Sequence, residues 1–169
     1  MISVAHDEPA TINSTTRSVA SALLGPLDVS DAAIMTFPTP LWGFPDHGEF
    51  ALVPAAREGL WWLQSLASDT LTFLLADPFV LDANYGVDLG ETERTALSIE
   101  KPTDAFGLVM VTLPVATGDT VTANFRAPLV FNLARRVGMQ IVARDESHDL
   151  RRPVSLDVFP AQANGVRLR

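Results

Sequence analysis

The sequence predicts a mainly β fold: a small closed or nearly closed antiparallel or mixed β-barrel-like domain with one or two short helices. Short apolar runs recur every ten to fifteen residues between Gly and Pro, which is typical of seven or eight short strands. The gaps between the runs are too short for repeated crossover helices, so a parallel sheet built from βαβ units is not expected. Closure would also remove exposed strand edges, which favour aggregation.

The strands are predicted from the apolar runs in chain order. Pro128 has no backbone N–H to donate, so it is expected to break or bulge its strand. Trp61 and Trp62 are consecutive, and they are expected to point to opposite faces of theirs. One helix is predicted at LGETERTALSIE (89–100). The predicted strands are AIMTF (33–37), EFALV (49–53), GLWWLQSL (59–66), LTFLLA (71–76), GLVMVTLPV (107–115), TVTANFRAPLVFN (120–132), GMQIVAR (138–144) and PVSLDVF (153–159).

Length and composition favour one domain with two tails. A chain of 169 residues that is 47% hydrophobic can bury a core without disulfides or metals. We expect a mobile N-terminal tail over 1–18, a domain over 19–158 and a C-terminal tail over 159–169. The absence of cysteine excludes disulfides and thiol chemistry and favours a reducing compartment. With no signal-like or membrane-spanning run, a cytoplasmic monomer is the expected state.

Charge is distributed unevenly along the chain. The net charge is −8, and residues 28–119 hold fourteen acidic residues against three basic ones. Residues 120–169 hold eight arginines against four acidic residues. One interpretation is an ordinary mixed surface; the other is an acidic face that attracts a basic protein and repels phosphate. Direct binding to nucleic acid is therefore not expected, although the arginines keep it as a third class of function.

Catalytic motifs are absent from the sequence. It contains no nucleophile elbow, phosphate-binding loop, HExxH zinc motif or dinucleotide-binding turn. Its three histidines, His6, His47 and His148, are interpreted as a tail residue, a surface turn and a solvated loop. We therefore expect no enzyme, cofactor or metal. Composition alone leaves a Ser–His–Asp triad open, so a small-molecule-processing enzyme on a β-barrel scaffold is the alternative.

Polar residues interrupt the strand TANFRAPLVFN (122–132). Asn124, Arg126 and Asn132 alternate with apolar residues. In one interpretation their amides satisfy backbone groups where Pro128 breaks the ladder. In the other, the asparagines and Gln140 line a partner-binding groove or an open strand edge. Trp42 lies in a Pro/Gly-rich turn ahead of Phe44, which suggests a cap on a barrel end, and a tryptophan is also a common binding anchor.

Several blocks of the sequence resemble the flagellar assembly factor FliW family. MTFPTPLWGFPDHGEFALVP is similar to that family's early strand, Gly-Phe turn and Phe-x-Leu-x-Pro strand, and WWLQSL resembles its Leu-Gln-Ser block. LLADPFVLDANY, TANFRAPLVFN and GMQIVARDESHDLRRPV resemble later blocks, and the matches run in order from Gly25 to Pro153. The sequence departs from the usual pattern at Trp42, Phe125 and His148.

The resemblance implies a small cytoplasmic, barrel-like, non-enzymatic protein. Such proteins act like chaperones: they bind flagellin before export and also bind CsrA, an RNA-binding translational repressor. Flagellin and the CsrA-type regulator then compete, and export of flagellin frees the factor to lift repression of flagellin synthesis. Residues predicted to contact a partner are Trp42, Phe44, Gln64, Tyr85, Asn124, Arg126, Pro128, Asn132 and Gln140.

Overall fold

The structure, a computed structural model, describes residues 15–162. Two α-helices lie in this part of the chain, α1 (Pro78–Leu81) and α2 (Glu91–Leu97), with 3-10 turns at Asp31–Ala33, Pro102–Asp104 and Leu156–Val158. The strands are β1 (Thr16–Val19), β2 (Leu27–Ser30), β3 (Ile34–Thr36), β4 (Glu49–Pro54), β5 (Leu60–Ser65), β6 (Thr72–Ala76), β7 (Phe106–Thr112), β8 (Thr122–Asn132), β9 (Val137–Gln140) and β10 (Arg152–Pro153).

Seven of these strands close into a barrel. The order is β8-β7-β6-β5-β4-β3-β9, and β9 pairs back onto β8. All neighbours are antiparallel except β3 and β9, which pair in parallel through Thr36 and Val137. β10 adds two residues beside the start of β8, while β1 and β2 form a separate hairpin. The prediction of a closed or nearly closed, antiparallel or mixed β-barrel-like domain with one or two short helices is confirmed: the barrel is closed, one of its pairings is parallel, and two α-helices are present.

Side chains alternate between the two faces of each strand, so one set packs in an inner core and the other in outer clusters. Leu75 of β6 packs in the core with Phe50, Leu63 and Phe131, whereas its neighbour Leu74 belongs to an outer cluster. Trp61 packs against the inner core and Trp62 against the outer clusters, each half-buried. The prediction that the two indoles point to opposite faces is confirmed, because side chains alternate in a strand.

Three pieces of chain cover the outside of the barrel. The β1–β2 hairpin packs Val19 and Val29 against β3 and β4. The connection between β6 and β7, which carries both helices, places Tyr85 and Leu97 on the outer clusters. The C-terminal segment adds Phe159, which is fully buried. The apolar outer faces of the strands are therefore also removed from water.

Both predicted tail boundaries need correction. Three residues of the predicted N-terminal tail belong to β1, which pairs with β2 and buries Val19. The predicted C-terminal tail begins at Phe159, but this ring is fully buried, and Ala161 forms a bridge with Arg57. The sequence hides these pieces because each holds one or two apolar residues in a polar stretch. The remaining residues of both predicted tails, 1–14 and 163–169, lie outside the described residues.

Several element predictions also differ from the structure, among them the strand predicted over 138–144, which ends at Gln140. β2 and helix α1 were not predicted, although Asp77 caps α1 and Pro78 occupies its first turn, which are helix-start signals. The predicted last strand is a two-residue pairing followed by a 3-10 turn. The strand predicted to end at Val115 ends at Thr112, and Val115 is almost fully exposed. In residues 15–162, no helix is both long and apolar enough to span a membrane.

Candidate functional site

The irregularity predicted at Pro128 is a large bulge in β8. Leu108 of β7 pairs with Leu129, and Met110 pairs with Asn124. One residue of β7 therefore lies opposite the four residues 125–128, which we call the bulge. Because proline has no N–H to donate to a neighbouring strand, this segment leaves the ladder where the sequence indicated.

The N–H groups of the bulge all donate to oxygen atoms outside the ladder. Those of Phe125 and Arg126 donate to the backbone oxygen of Asp149, at 3.0 and 3.2 Å. That of Ala127 donates to Oδ1 of Asn124 at 2.9 Å. A buried N–H without a partner would destabilise the fold, so Asn124 stabilises the bulge.

The chain that follows β9 satisfies two carbonyl groups of the bulge. The N–H of Ala143 donates to the oxygen of Arg126 at 2.8 Å. The N–H of Ile141 donates to the oxygen of Pro128 at 3.0 Å. The bulge therefore has its own short ladder with the segment beyond β9, and it is not an open loop.

Gln140 connects the bulge to the turn that carries Trp42. Its Nε2 donates to the backbone oxygen of Ala127 at 3.4 Å. Its Oε1 accepts from the backbone N–H of Trp42, also at 3.4 Å. Gln140 thus orients an exposed turn relative to the barrel wall, through two long hydrogen bonds.

Tyr85 satisfies the last carbonyl of the bulge. Its hydroxyl donates to the backbone oxygen of Phe125 at 2.9 Å, and the two rings meet edge to face at 5.2 Å. Only 6% of Tyr85 is exposed, and burial raises the pKa of its phenol. The centroid of the His148 ring lies 4.9 Å from that of Tyr85. Tyr85 therefore attaches the β6–β7 connection to the barrel.

Asn132 holds the end of α2. Its Nδ2 donates to the backbone oxygens of Leu97 and Ser98, each at 3.0 Å, and its Oδ1 accepts from the N–H of Arg135. Ser98 has a left-handed conformation with φ of 54°, which ends the helix and leaves carbonyl groups in need of donors. Asn132 is 4% exposed, so it is a structural group.

Two predictions about partner contacts are corrected. Gln64 is fully buried, and its Nε2 donates to the backbone oxygens of Ser65 and Ser68, so it has no surface to offer a partner. The alternative of an open strand edge on β8 is also wrong, because β7 pairs on one side and β9 and β10 on the other. Asn124 instead follows the first interpretation, because its amide oxygen accepts from the N–H of Ala127 in the bulge, whereas Asn132 satisfies backbone groups at the end of α2.

Five predicted residues remain at least partly accessible, and besides Asn124 and Gln140, described above, these are Trp42, Phe44 and Arg126. Trp42 is 54% exposed at the tip of its turn. Phe44 is half-buried and meets Phe73 edge to face at 5.1 Å, so its ring helps to close the barrel end. The Arg126 side chain is 25% exposed, with Nη2 3.7 Å from Glu146. Of these, Trp42 offers the largest apolar surface.

A cleft lies where the β6–β7 connection crosses the barrel wall. Its volume is about 420 Å³, within the range of binding pockets. Tyr85 and Pro128, both predicted as contacts, line it together with residues that sequence reasoning missed. The charged lining residues are Asp88, Arg94, Glu100 and Lys101, and the additional apolar ones are Pro78, Phe79, Val87, Leu89, Ile99, Pro102, Ala105 and Val130. The capping signal at Asp77 and Pro78 could have revealed α1, but the fold alone reveals the cleft.

An ion pair fixes one end of the β6–β7 connection. Asp82 accepts a hydrogen bond of 2.8 Å from Nη1 of Arg152, and this bond lowers the pKa of the Asp82 carboxyl. The Arg152 guanidinium also lies 4.8 Å from the centre of the Phe125 ring. The ion pair therefore joins α1, β10 and the bulge at one point.

The histidines in the described part of the chain lie in structural contacts. Nδ1 of His47 lies 2.7 Å from Oγ of Ser65, the arrangement of a serine nucleophile and its base. Ser65 is only 1% exposed and its hydroxyl also accepts from the N–H of Ala67, so this pair holds a turn together. His148 packs on Tyr85. Within residues 15–162, no three metal-ligating side chains converge; His6 lies outside this range.

Comparison with known proteins agrees with the fold and with the sequence blocks. The profile of the family described as FliW protein matches residues 18–154. The flagellar assembly factor FliW of Leptospira interrogans is 31% identical over 131 residues, which cover 77% of this chain and 87% of the relative. That of Treponema pallidum is 33% identical over 123 residues, covering 73% and 81%.

A solved structure is also similar. The crystal structure of a flagellar assembly factor FliW superposes with a TM-score of 0.73 at 26% identity, covering 85% of this chain and 98% of the other. The fold is thus shared with a member of that family over 85% of this chain. This chain belongs to the FliW family of flagellar assembly factors.

Proposed function

We propose that this protein is a non-enzymatic regulator that binds flagellin in the cytoplasm and antagonises a CsrA-type RNA-binding regulator. The observation that carries the proposal is membership of an assembly-factor family over residues 18–154. Flagellin and the regulator compete for the protein, which links synthesis of flagellin to its export. The protein works as a monomer, without a cofactor and without binding nucleic acid itself.

The charge of the chain supports the second partner. A regulator that holds RNA must present basic side chains to phosphate. This chain has a net charge of −8, and fourteen of its acidic residues lie in residues 28–119. An acidic protein docked on a basic RNA-binding regulator is attracted to it and repels RNA by the same field. Charge therefore favours the regulator over nucleic acid as a partner.

The accessible apolar surface supports protein binding over turnover. Trp42 is 54% exposed on a turn fixed to the barrel, and the cleft is lined mainly by apolar side chains. Tryptophan is enriched among residues that dominate binding energy. In the one serine–histidine contact described above, the serine is buried. These features suit the capture of a protein segment.

Affinity capture with the purified full chain tests the proposal. The bait is incubated with purified flagellin, with the CsrA-type regulator, or with both from the same organism. We expect each protein to be captured alone and flagellin to displace the regulator when both are present. Capture of neither protein contradicts the proposal, and simultaneous capture of both contradicts competition.

A further inference from the structure

Three loops leave the barrel at one end. Strands β3 to β8 are neighbours in chain order and each pair is antiparallel, so every second connection lies at the same end. The connections β3–β4, β5–β6 and β7–β8 share one end, over residues 37–48, 66–71 and 113–121. We call this the loop end. The β6–β7 connection and its cleft belong to the opposite end.

The loop of Trp42 crosses the loop end towards the β7–β8 loop. The ring of Phe44 meets the ring of Phe73 edge to face at 5.1 Å, so this loop reaches the start of β6. Strand β7 pairs with β6 and ends at Thr112, and Leu113 therefore begins its loop beside β6. The two loops thus form neighbouring parts of one surface.

Large apolar side chains project from these two loops. Trp42 is 54% exposed and Leu113 is 46% exposed. Val115 is 99% exposed, the highest fraction among the large apolar side chains of residues 15–162. The fold leaves these side chains in water, although burying them would be favourable. Exposed apolar side chains on loops held by a rigid scaffold are typical of surfaces that bind another molecule.

The charged groups of the loop end are acidic. Its three loops contain Asp46, Asp69 and Asp119 and no lysine or arginine. Among the residues that the structure describes, none of these carboxylates forms an ion pair within 4.0 Å. The one histidine of the loops, His47, contacts Ser65. The loop end therefore presents three carboxylates without neutralising partners.

Two arginines border the loop end on the side of β3, and both contact Asp31. Nε of Arg17 lies 3.0 Å from Oδ1 of Asp31, and its Nη1 lies 3.8 Å from Glu49 at the start of β4. Nη1 of Arg136 donates to the backbone oxygen of Asp31 at 3.2 Å. These cations are therefore engaged beside β3, away from the three loops.

The opposite end of the barrel has mixed charge. Residues 55–59 and 77–105 hold eight acidic residues, but they also contain three basic ones. In the cleft, Arg94 and Lys101 accompany Asp88 and Glu100. Of the two ends, the loop end is therefore the one whose charge selects a partner.

We propose that the loop end binds a basic surface of a partner protein. Trp42, Leu113 and Val115 make the apolar contacts, and the three carboxylates face lysine or arginine side chains. The inference rests on the proposed function and deepens it, because it assigns the CsrA-type regulator to a surface. The carboxylates repel phosphate groups and a second copy of the same end, so nucleic acid and self-association are disfavoured.

Two sets of variants with equal net charge test the role of the carboxylates. The loop-end set combines Asp46→Asn, Asp69→Asn and Asp119→Asn. The control set combines Glu58→Gln, Glu91→Gln and Glu100→Gln, which are exposed at the opposite end. Asparagine at 119 keeps an oxygen that can accept from the N–H of Ala116, as Asp119 does. Circular dichroism melts check that both sets are folded.

A matched pair of variants tests the apolar contacts. Val115→Ser removes an apolar side chain from the loop end. Val158→Ser makes the same change in the 3-10 turn at Leu156–Val158, which contacts Arg57 of the opposite end. Val158 is 53% exposed, so both valines lie at the surface and neither substitution should change stability by more than about 0.5 kcal/mol.

The probe is the purified CsrA-type regulator of the same organism, carrying a fluorescent label. Anisotropy measures its Kd for the full chain and for each variant, at low and at high salt. We expect the loop-end set to weaken binding about tenfold or more at low salt and to lose most of the salt dependence of Kd. The control set should change Kd less than about twofold. Val115→Ser should weaken binding about threefold, and Val158→Ser should leave it unchanged.

Two results would overturn the assignment. One is an equal Kd for the loop-end set and the control set, and the other is an equal Kd for Val115→Ser and the wild type. If the wild type still binds the regulator in these cases, the proposed function stands and only this surface is wrong. A wild type that does not bind the regulator overturns both.

Discussion

The hydroxyl of Tyr85 donates a 2.9 Å hydrogen bond to the backbone oxygen of Phe125, across forty residues of sequence. This bond joins the connection that carries both helices to the part of β8 that leaves the sheet. Since the carbonyl is buried and has left the ladder, the phenol replaces a neighbouring strand as its donor. The pair is therefore one of the contacts that hold the wall of the cleft against the barrel.

The first prediction concerns this hydroxyl. Tyr85→Phe keeps the ring but leaves the Phe125 carbonyl without its donor, which should lower the free energy of unfolding by about 1–3 kcal/mol. Urea unfolding followed by tryptophan fluorescence measures the change. An unchanged midpoint would contradict the role assigned to the bond.

Alkaline pH should lower the stability of the protein through Tyr85. Burial raises the pKa of Tyr85 above its ordinary value of 10.0, so the phenol contributes stability that is complete below pH 10. That contribution is lost as pH rises above 10 and the unfolded phenol ionises first. Melting temperatures across this range should fall less for Tyr85→Phe than for the wild type, and parallel curves would contradict the prediction.

Acidic pH should lower the stability of the protein through Asp82. The hydrogen bond from Arg152 lowers the pKa of the Asp82 carboxyl below its ordinary value of 3.8. Its contribution to stability is therefore present above pH 3.8 and is lost as pH falls through the lower folded pKa. Asp82→Asn should be less stable than the wild type near neutrality, and the difference should shrink in strong acid. The control is Asp69→Asn, because Asp69 lies on an exposed turn. If this control loses as much stability as Asp82→Asn, the ion pair is not the cause of the loss.

Asn132→Ala separates a structural role from a contact role. Removing the Nδ2 donor leaves the carbonyls of Leu97 and Ser98 unsatisfied, which should cost about 1–3 kcal/mol of stability. Thermal melts measure the loss. If the amide is structural, molecules that remain folded still capture flagellin; a fully stable variant that no longer captures it would instead favour a binding groove.

In contrast to Asn132→Ala, Trp42→Ala should weaken partner binding and leave stability almost unchanged. Its side chain is 54% exposed, and its hydrogen bond to Gln140 uses the backbone, so stability should change by less than about 0.5 kcal/mol. Partner binding should weaken by about 2 kcal/mol if the indole is an anchor. Isothermal titration with flagellin and with the regulator measures both affinities. The control is Leu23→Ala, because Leu23 is 62% exposed on the turn between β1 and β2; this substitution should leave both affinities unchanged.

Local rules predicted much of the barrel and part of the site. The bulge at Pro128 follows from a missing N–H, and the opposite faces of Trp61 and Trp62 follow from strand alternation. Contacts between segments that are far apart in the sequence could not be predicted from local sequence patterns. The Tyr85 bond spans forty residues, and Gln64, polar in type, is buried because its amide finds backbone oxygens within its own turn.

The resemblance to a family added what local rules lacked. The ordered blocks between Gly25 and Pro153 indicated the family that the comparisons confirm over residues 18–154. The blocks did not distinguish structural from accessible polar residues. Asn124, Asn132 and Trp42 all lie within blocks that resemble the family, yet only Trp42 presents a large exposed side chain.

The most direct test of the central claim is a competition measured in one solution. A labelled CsrA-type regulator is bound to this protein, and purified flagellin is titrated in while anisotropy is followed. We expect flagellin to release the regulator completely, with an apparent midpoint that rises in proportion to the concentration of this protein. A signal that stays constant up to saturating flagellin, with both partners bound together, would contradict the claim.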